Sequence, residues 1–138
     1  MIGDKFAQTT QEVNILENRK QRIVEAAVTL FNMKGYSGTS VRDIAAEAGV
    51  NVALISYYFS GKQGLLEFLM MSFFEGYTAE IESAYEELDK MSARESLLVI
   101  IRRVLDFQQK NVQLARFVHR EVTLDSTLIR ELMTTCLM

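Results

Sequence analysis

The sequence has no proline and no tryptophan, one cysteine, one histidine and only seven glycines among 138 residues. Each shortage excludes something. Without proline, and with so little glycine, a protein of many turns and linkers is not expected, whereas helix interiors lose nothing. Cys136 alone cannot close an internal disulfide, which fits a reducing, cytoplasmic compartment. Cys136 and His119 cannot supply a His/Cys zinc site between them, and no metal or other cofactor is expected. No apolar run reaches about 18 residues, so no membrane span is expected. The opening MIGDKFAQTTQE carries acids and lacks the apolar stretch of a signal peptide, so residues 1–17 read as a polar tail. What is present is 49% hydrophobic residues, enough for a packed core. The expectation is an all-α protein.

Net charge is −3, which on its face argues against nucleic acid, but the charges are unevenly spread. Residues 18–64 carry six bases (Arg19, Lys20, Arg22, Lys34, Arg42, Lys62) against three acids (Glu25, Asp43, Glu47). Residues 1–17 and 65–138 are both net acidic. A basic front on an acidic body suits a polyanionic partner.

Helical periodicity begins near Asn18, where Ile23, Ala27, Leu30 and Phe31 share one face, and Gly35 reads as the end of that helix. Ser40 and Asp43 have capping-box spacing, so a second helix starts there and stops at Gly49. Asn51 caps a third helix that ends near Phe59. Ser60 and Gln63 repeat the capping spacing and open a long helix with Leu65, Leu66, Leu69, Met70, Phe73, Phe74, Tyr77 and Ile81 on its apolar stripe. Ser92 and Glu95 open another, whose apolar face reads as Leu97, Leu98, Ile101, Val104, Leu105 and Gln108. Asn111 is a break before Leu114, Phe117, Val118 and Val122. Asp125 or Ser126 caps a last segment with Leu128, Ile129, Leu132 and Met133. The chain stops in TTCLM without a turn or cap, so the helical body over 65–138 reads as incomplete at its C-terminus.

The segment VRDIAAEAGVNVALISYYFS, Val41 to Ser60, has the form of a helix-turn-helix. Ala45 lies where the two short helices cross and must be small. Gly49 supplies the left-handed turn. Ile55 anchors the second helix, and Val50 with Ile44 and Ala48 completes a small core. Val52, Ala53, Ser56 and Tyr57 are then left for a DNA groove. With no Arg, Gln or second Asn among them, methyl and hydroxyl contacts are the expected vocabulary. Tyr57, Tyr58 and Lys62, with Ser40 and Arg42, can reach phosphates.

Residues 19–66 resemble the N-terminal domain of the TetR family of DNA-binding regulators. The resemblance lies in RIVEAAVTLFNMKGY, in GTSVRDIAAEAGV and in YYF-x-x-K-x-x-L from Tyr57 to Leu65. It implies a three-helix DNA-binding domain over 18–64, followed by a helical regulatory and dimerisation body. It also implies a homodimer on double-stranded DNA, with contacts from Ser40, Arg42, Val52, Ala53, Ser56, Tyr57, Tyr58 and Lys62. Ser56 departs from the tyrosine usual in the family, and the neighbouring Tyr57 or Tyr58 is expected to substitute. GTSVRDIAAEAGVNVALISYYFSGKQGL and RFVHREVTLDSTLIRELM further resemble a family member of spore-forming bacteria, which implies the division protein FtsZ as a partner.

Three other readings compete with this one: a ligand-responsive repressor, an enzyme, and an all-helical protein–protein module without DNA binding. A ligand-responsive repressor would use Met70, Met71, Phe73, Phe74, Tyr77, Met91, Phe107 and Phe117 around a small-molecule effector; the plainer reading makes them core. An enzyme would have to start from His119, Arg120 and Glu121, but sequence neighbours on a helix point apart, so no catalytic constellation forms.

Overall fold

The computed structural model describes the backbone of residues 2–123 together with Thr127, Arg130, Glu131, Thr134 and Thr135, and the side chains of these residues from Thr9 onward except Val122 and Thr123. The expected final segment with Leu128, Ile129, Leu132 and Met133, its Asp125 or Ser126 cap, and Cys136 lie outside the described residues. Among the described residues all regular structure is helical. The helices are α1 (Ile2–Lys34), α2 (Val41–Ala48), α3 (Val52–Phe59), α4 (Lys62–Tyr85), α5 (Ala93–Lys110) and α6 (Val112–Thr123), with a 3₁₀ turn at Leu88–Lys90. The chain divides into two units, Met1–Leu66 and Glu67–Met138, two residues beyond the division read from sequence.

In the first unit, α1 departs from expectation. It begins at Ile2 rather than near Asn18, so the polar tail is helical. Residues 9–19 of this helix are all exposed, and it is from Ile23 that Ala26, Ala27, Leu30 and Phe31 become buried. A helix that buries no face leaves no apolar periodicity to read, yet nothing between residues 4 and 34 is proline or glycine to stop it. At its far end Thr39 is buried, and its hydroxyl donates to the Leu30 and Gly35 carbonyls at 3.3 and 2.8 Å. This adds a second donor to the Leu30 carbonyl and gives one to the Gly35 carbonyl just beyond the helix, where no intrahelical N–H reaches.

α2 has the capping box expected of Ser40 and Asp43: the Asp43 N–H donates to Ser40 Oγ, and the Ser40 N–H to Asp43 Oδ2, each at 3.1 Å. α3 is capped by Asn51, whose Oδ1 accepts from the Ala53 N–H at 2.9 Å. Ser60 does not cap α4. It sits in the left-handed region at φ 61° and closes α3 through its N–H to the Ser56 carbonyl, a geometry incompatible with the extended backbone of an N-cap.

The second unit centres on Phe73. Its ring meets Phe74, Tyr77, Phe107 and His119 at centroid distances of 5.5, 6.2, 5.4 and 6.4 Å. Gly76 lies inside α4 because a Cβ there would come within 2.8 Å of the Phe107 ring. Met70, Phe117 and Val118 are buried. The face read for α5 proves to be largely the outer one. Leu97, Leu98, Ile101 and Leu105 are exposed, while Ile100, Val104 and Phe107 are at least half-buried. α5 is apolar on two sides, and Phe107 on the Phe73 cluster decides which side turns inward. The capping box of Ser92 and Glu95 and the break at Asn111 form as expected. Among the described residues no helix is long and apolar enough to cross a membrane.

Candidate nucleic-acid interface

The turn between α2 and α3 is built from α2 outward. Ala45 is 4% exposed and Ile44 and Ile55 are fully buried, which closes the two helices on each other. Gly49 adopts φ 63° and ψ 42°, the left-handed conformation that glycine takes without penalty. Its N–H reaches the Ala45 and Ala46 carbonyls, and the Val50 N–H reaches the Ala45 carbonyl at 3.0 Å. Val50 is half-buried behind the turn, and Asn51 starts α3 at once.

With Ile55 and Phe59 buried, α3 turns Val52, Ala53, Ser56 and Tyr57 to solvent. Tyr57 stands out: it is 78% exposed, a large apolar ring with a hydroxyl on an open helix face. Tyr58 is half-buried, edge-on to Tyr57 at 5.2 Å, and its hydroxyl donates to the Leu16 carbonyl at 3.5 Å. Ser40 and Arg42 are exposed at the start of α2. Ser40 and Asp43 are bound up in the cap. Ser40's backbone N–H, then its hydroxyl, then the charge of Lys34 3.7 Å away hold the Asp43 carboxyl below its ordinary range.

Lys62 is the residue placed least like a phosphate ligand. Its Nζ donates to the Tyr36 carbonyl at 3.0 Å and lies 4.3 Å from the centre of the Tyr36 ring. It ties the start of α4 to the loop after α1. Two further basic residues of the front also have partners within the unit. Lys20 Nζ lies 6.0 Å from the Phe59 ring centre. Arg22, not singled out from the cluster by any sequence signal, donates from Nη2 to the Ala48 carbonyl and to the Gly49 carbonyl at 3.1 Å. Arg19 and Arg42 are exposed.

The residues read as a candidate effector site differ in burial. Met70, Phe73 and Phe117 are buried in the core of the second unit, while Met71 and Met91 are exposed. Met71 and Phe74 line an open groove of about 390 Å³ on α4 with Glu75, Thr78, Ala79, Glu82 and Thr135. Among the described residues no group of three or more His, Cys, Asp or Glu side chains is placed to hold a metal ion.

Residues 23–69 match the family model for bacterial regulatory proteins of the tetR family. The chain is 56% identical over 119 residues to the probable HTH-type transcriptional regulator YttP of Bacillus subtilis (strain 168), covering 86% of this chain and 58% of that protein. It is 31% identical to the HTH-type transcriptional regulator BetI of Vibrio campbellii, covering 72% of this chain and 51% of that one. Its fold is similar to the crystal structure of the TetR family transcriptional regulator PfmR from Thermus thermophilus, with a TM-score of 0.68 and 25% identity, over 83% of this chain and 61% of that one. The chain thus spans 51–61% of the length of these relatives.

Proposed function

We propose, from the match of residues 23–69 to the family model for bacterial regulatory proteins of the tetR family, that the chain is a sequence-specific double-stranded DNA-binding regulator. It acts in the cytoplasm as a homodimer on near-palindromic chromosomal sites. The observation that supports this best is the outer face of α3. Val52, Ala53, Ser56 and Tyr57 form a solvent-facing stripe on a short, rigidly capped helix whose other side is core. A recognition helix needs an unobstructed face on a fixed support. Arg19 and Arg42 supply exposed positive charge on the same unit.

The finer reading rests on resemblance. GTSVRDIAAEAGVNVALISYYFSGKQGL and RFVHREVTLDSTLIRELM are similar to RefZ, a DNA-binding protein of spore-forming bacteria. We extend the proposal to a role of that kind, in which chromosomal binding is linked to the division protein FtsZ during sporulation. A ligand-responsive repressor is the second reading, favoured by the groove beside Met71 and Phe74. Recovery and sequencing of the chromosomal fragments bound in cells tests both. Fragments clustered around one chromosomal region support the RefZ-like role, fragments scattered over promoters support the repressor, and no enrichment overturns the DNA-binding proposal.

A further inference from the structure

We propose that Arg22 is a positioning residue for the recognition helix and not a phosphate ligand; this rests on the DNA-binding reading above. A helix leaves its last four carbonyls without intrahelical donors. In α2, the Ala45 and Ala46 carbonyls are taken by the N–H groups of Gly49 and Val50. The Ala48 carbonyl, and that of Gly49 beyond it, are taken by Nη2 of Arg22, from a helix 26 residues earlier in the chain. One nitrogen with two hydrogens thus spans the two carbonyls at the point where the backbone changes direction into α3. The guanidinium charge also meets the negative end of the α2 dipole. A Cβ at position 49 would come within 2.7 Å of that same nitrogen, so the glycine makes room for the clamp as well as for the left-handed turn. Charge and proximity to a helix-turn-helix would assign Arg22 to the DNA backbone; its bonding assigns it to the direction in which α3 leaves α2.

The two assignments differ in what they do to salt dependence. A phosphate ligand contributes to the slope of log affinity against log salt and acts alike on all sequences. A positioning residue changes preference and leaves the slope alone. The experiment compares the parent, Arg22→Met and Arg22→Lys on a selected site and on its scrambled sequence at several salt concentrations. For Arg22→Met, preference for the site falls by about tenfold or more, the scale of one charge-assisted hydrogen bond, with an unchanged slope. Arg22→Lys keeps the charge and loses the fork, and recovers only part of the preference. A slope shallower by about one for each chain bound, with preference intact, overturns the proposal. So does a preference and slope equal to the parent's.

Amide exchange in the free protein separates this result from failure of the DNA-binding reading. Exchange of the Gly49 and Val50 amides speeds up in Arg22→Met relative to those of Ala26 and Ala27 in α1. Equal exchange in parent and variant overturns the clamp whatever the protein binds.

Discussion

At the scale of single residues, Tyr57 and Lys62 look alike in sequence terms, as polar-tipped side chains in and just after a short helix, and the fold gives them opposite situations. Tyr57 makes an edge contact with Tyr58 and is otherwise open to solvent. Its removal therefore costs the fold little. Tyr57→Ala is expected to keep its helix content and Tm, while losing about 1–3 kcal/mol of binding at the preferred site. Circular dichroism beside mobility shift measures both, and full site preference in the folded variant would make Tyr57 a bystander. Lys62 holds the Tyr36 carbonyl and lies over its ring. A charged hydrogen bond and a cation–π contact together predict that Lys62→Met loses about 1–2 kcal/mol of stability before any DNA is added. Thermal unfolding checks this; an unchanged Tm with a shallower salt slope would return Lys62 to the phosphates.

At the scale of elements, the short helices depend on their ends. Eight residues in α2 are too few for propensity alone to hold a helix in water, so its capping box and its packing must do so. Ser40→Ala is expected to cost about 1 kcal/mol. The box also makes stability depend on pH. Asp43, bonded chiefly to the Ser40 N–H, has a folded pKa below its ordinary 3.8, and Glu95, bonded first by the Ser92 hydroxyl and then by its N–H, lies below 4.5. A depressed folded pKa gives a contribution fully present above the unfolded value and lost as pH falls through the folded one. Acid titration of stability should therefore fall off below about pH 4, and Asp43→Asn with Glu95→Gln should flatten that limb while leaving neutral-pH behaviour to the loss of the caps themselves. An acid limb unchanged in the double variant would remove the boxes as its source.

For the molecule as a whole, one helix-turn-helix reads few base pairs, and a two-fold assembly presents two such helices about 34–36 Å apart. With Lys20, Arg22 and Lys62 each engaged within the unit, the exposed Arg19 and Arg42 are the candidate phosphate contacts. In two chains that makes about four, and a log–log salt slope of about −4 is expected. Binding measured from low to moderate salt, beside sedimentation of the free and DNA-bound chain, tests charge count and stoichiometry together. A slope near zero would sink the electrostatic part, and one chain per site would sink the dimer.

What the sequence determined by itself is what local geometry carries. The boxes at Ser40–Asp43 and Ser92–Glu95, the cap at Asn51, the left-handed Gly49, the break at Asn111 and the buried Ala45 and Ile55 all depend on neighbours within a few positions, where spacing and chemistry leave a readable trace. Tertiary structure decided the rest. Ser60 has good capping chemistry ahead of Gln63, yet the tight passage from α3 to α4 forces it left-handed. α5 carries two apolar faces, and only the Phe73 cluster selects the one with Phe107. Arg22 with Ala48, Lys62 with Tyr36 and Tyr58 with Leu16 are pairs 26, 26 and 42 residues apart, and contacts at such separations have no period in the chain. Helices and their ends are local hydrogen-bonding problems, whereas the use of a charged or aromatic side chain depends on what folding brings beside it.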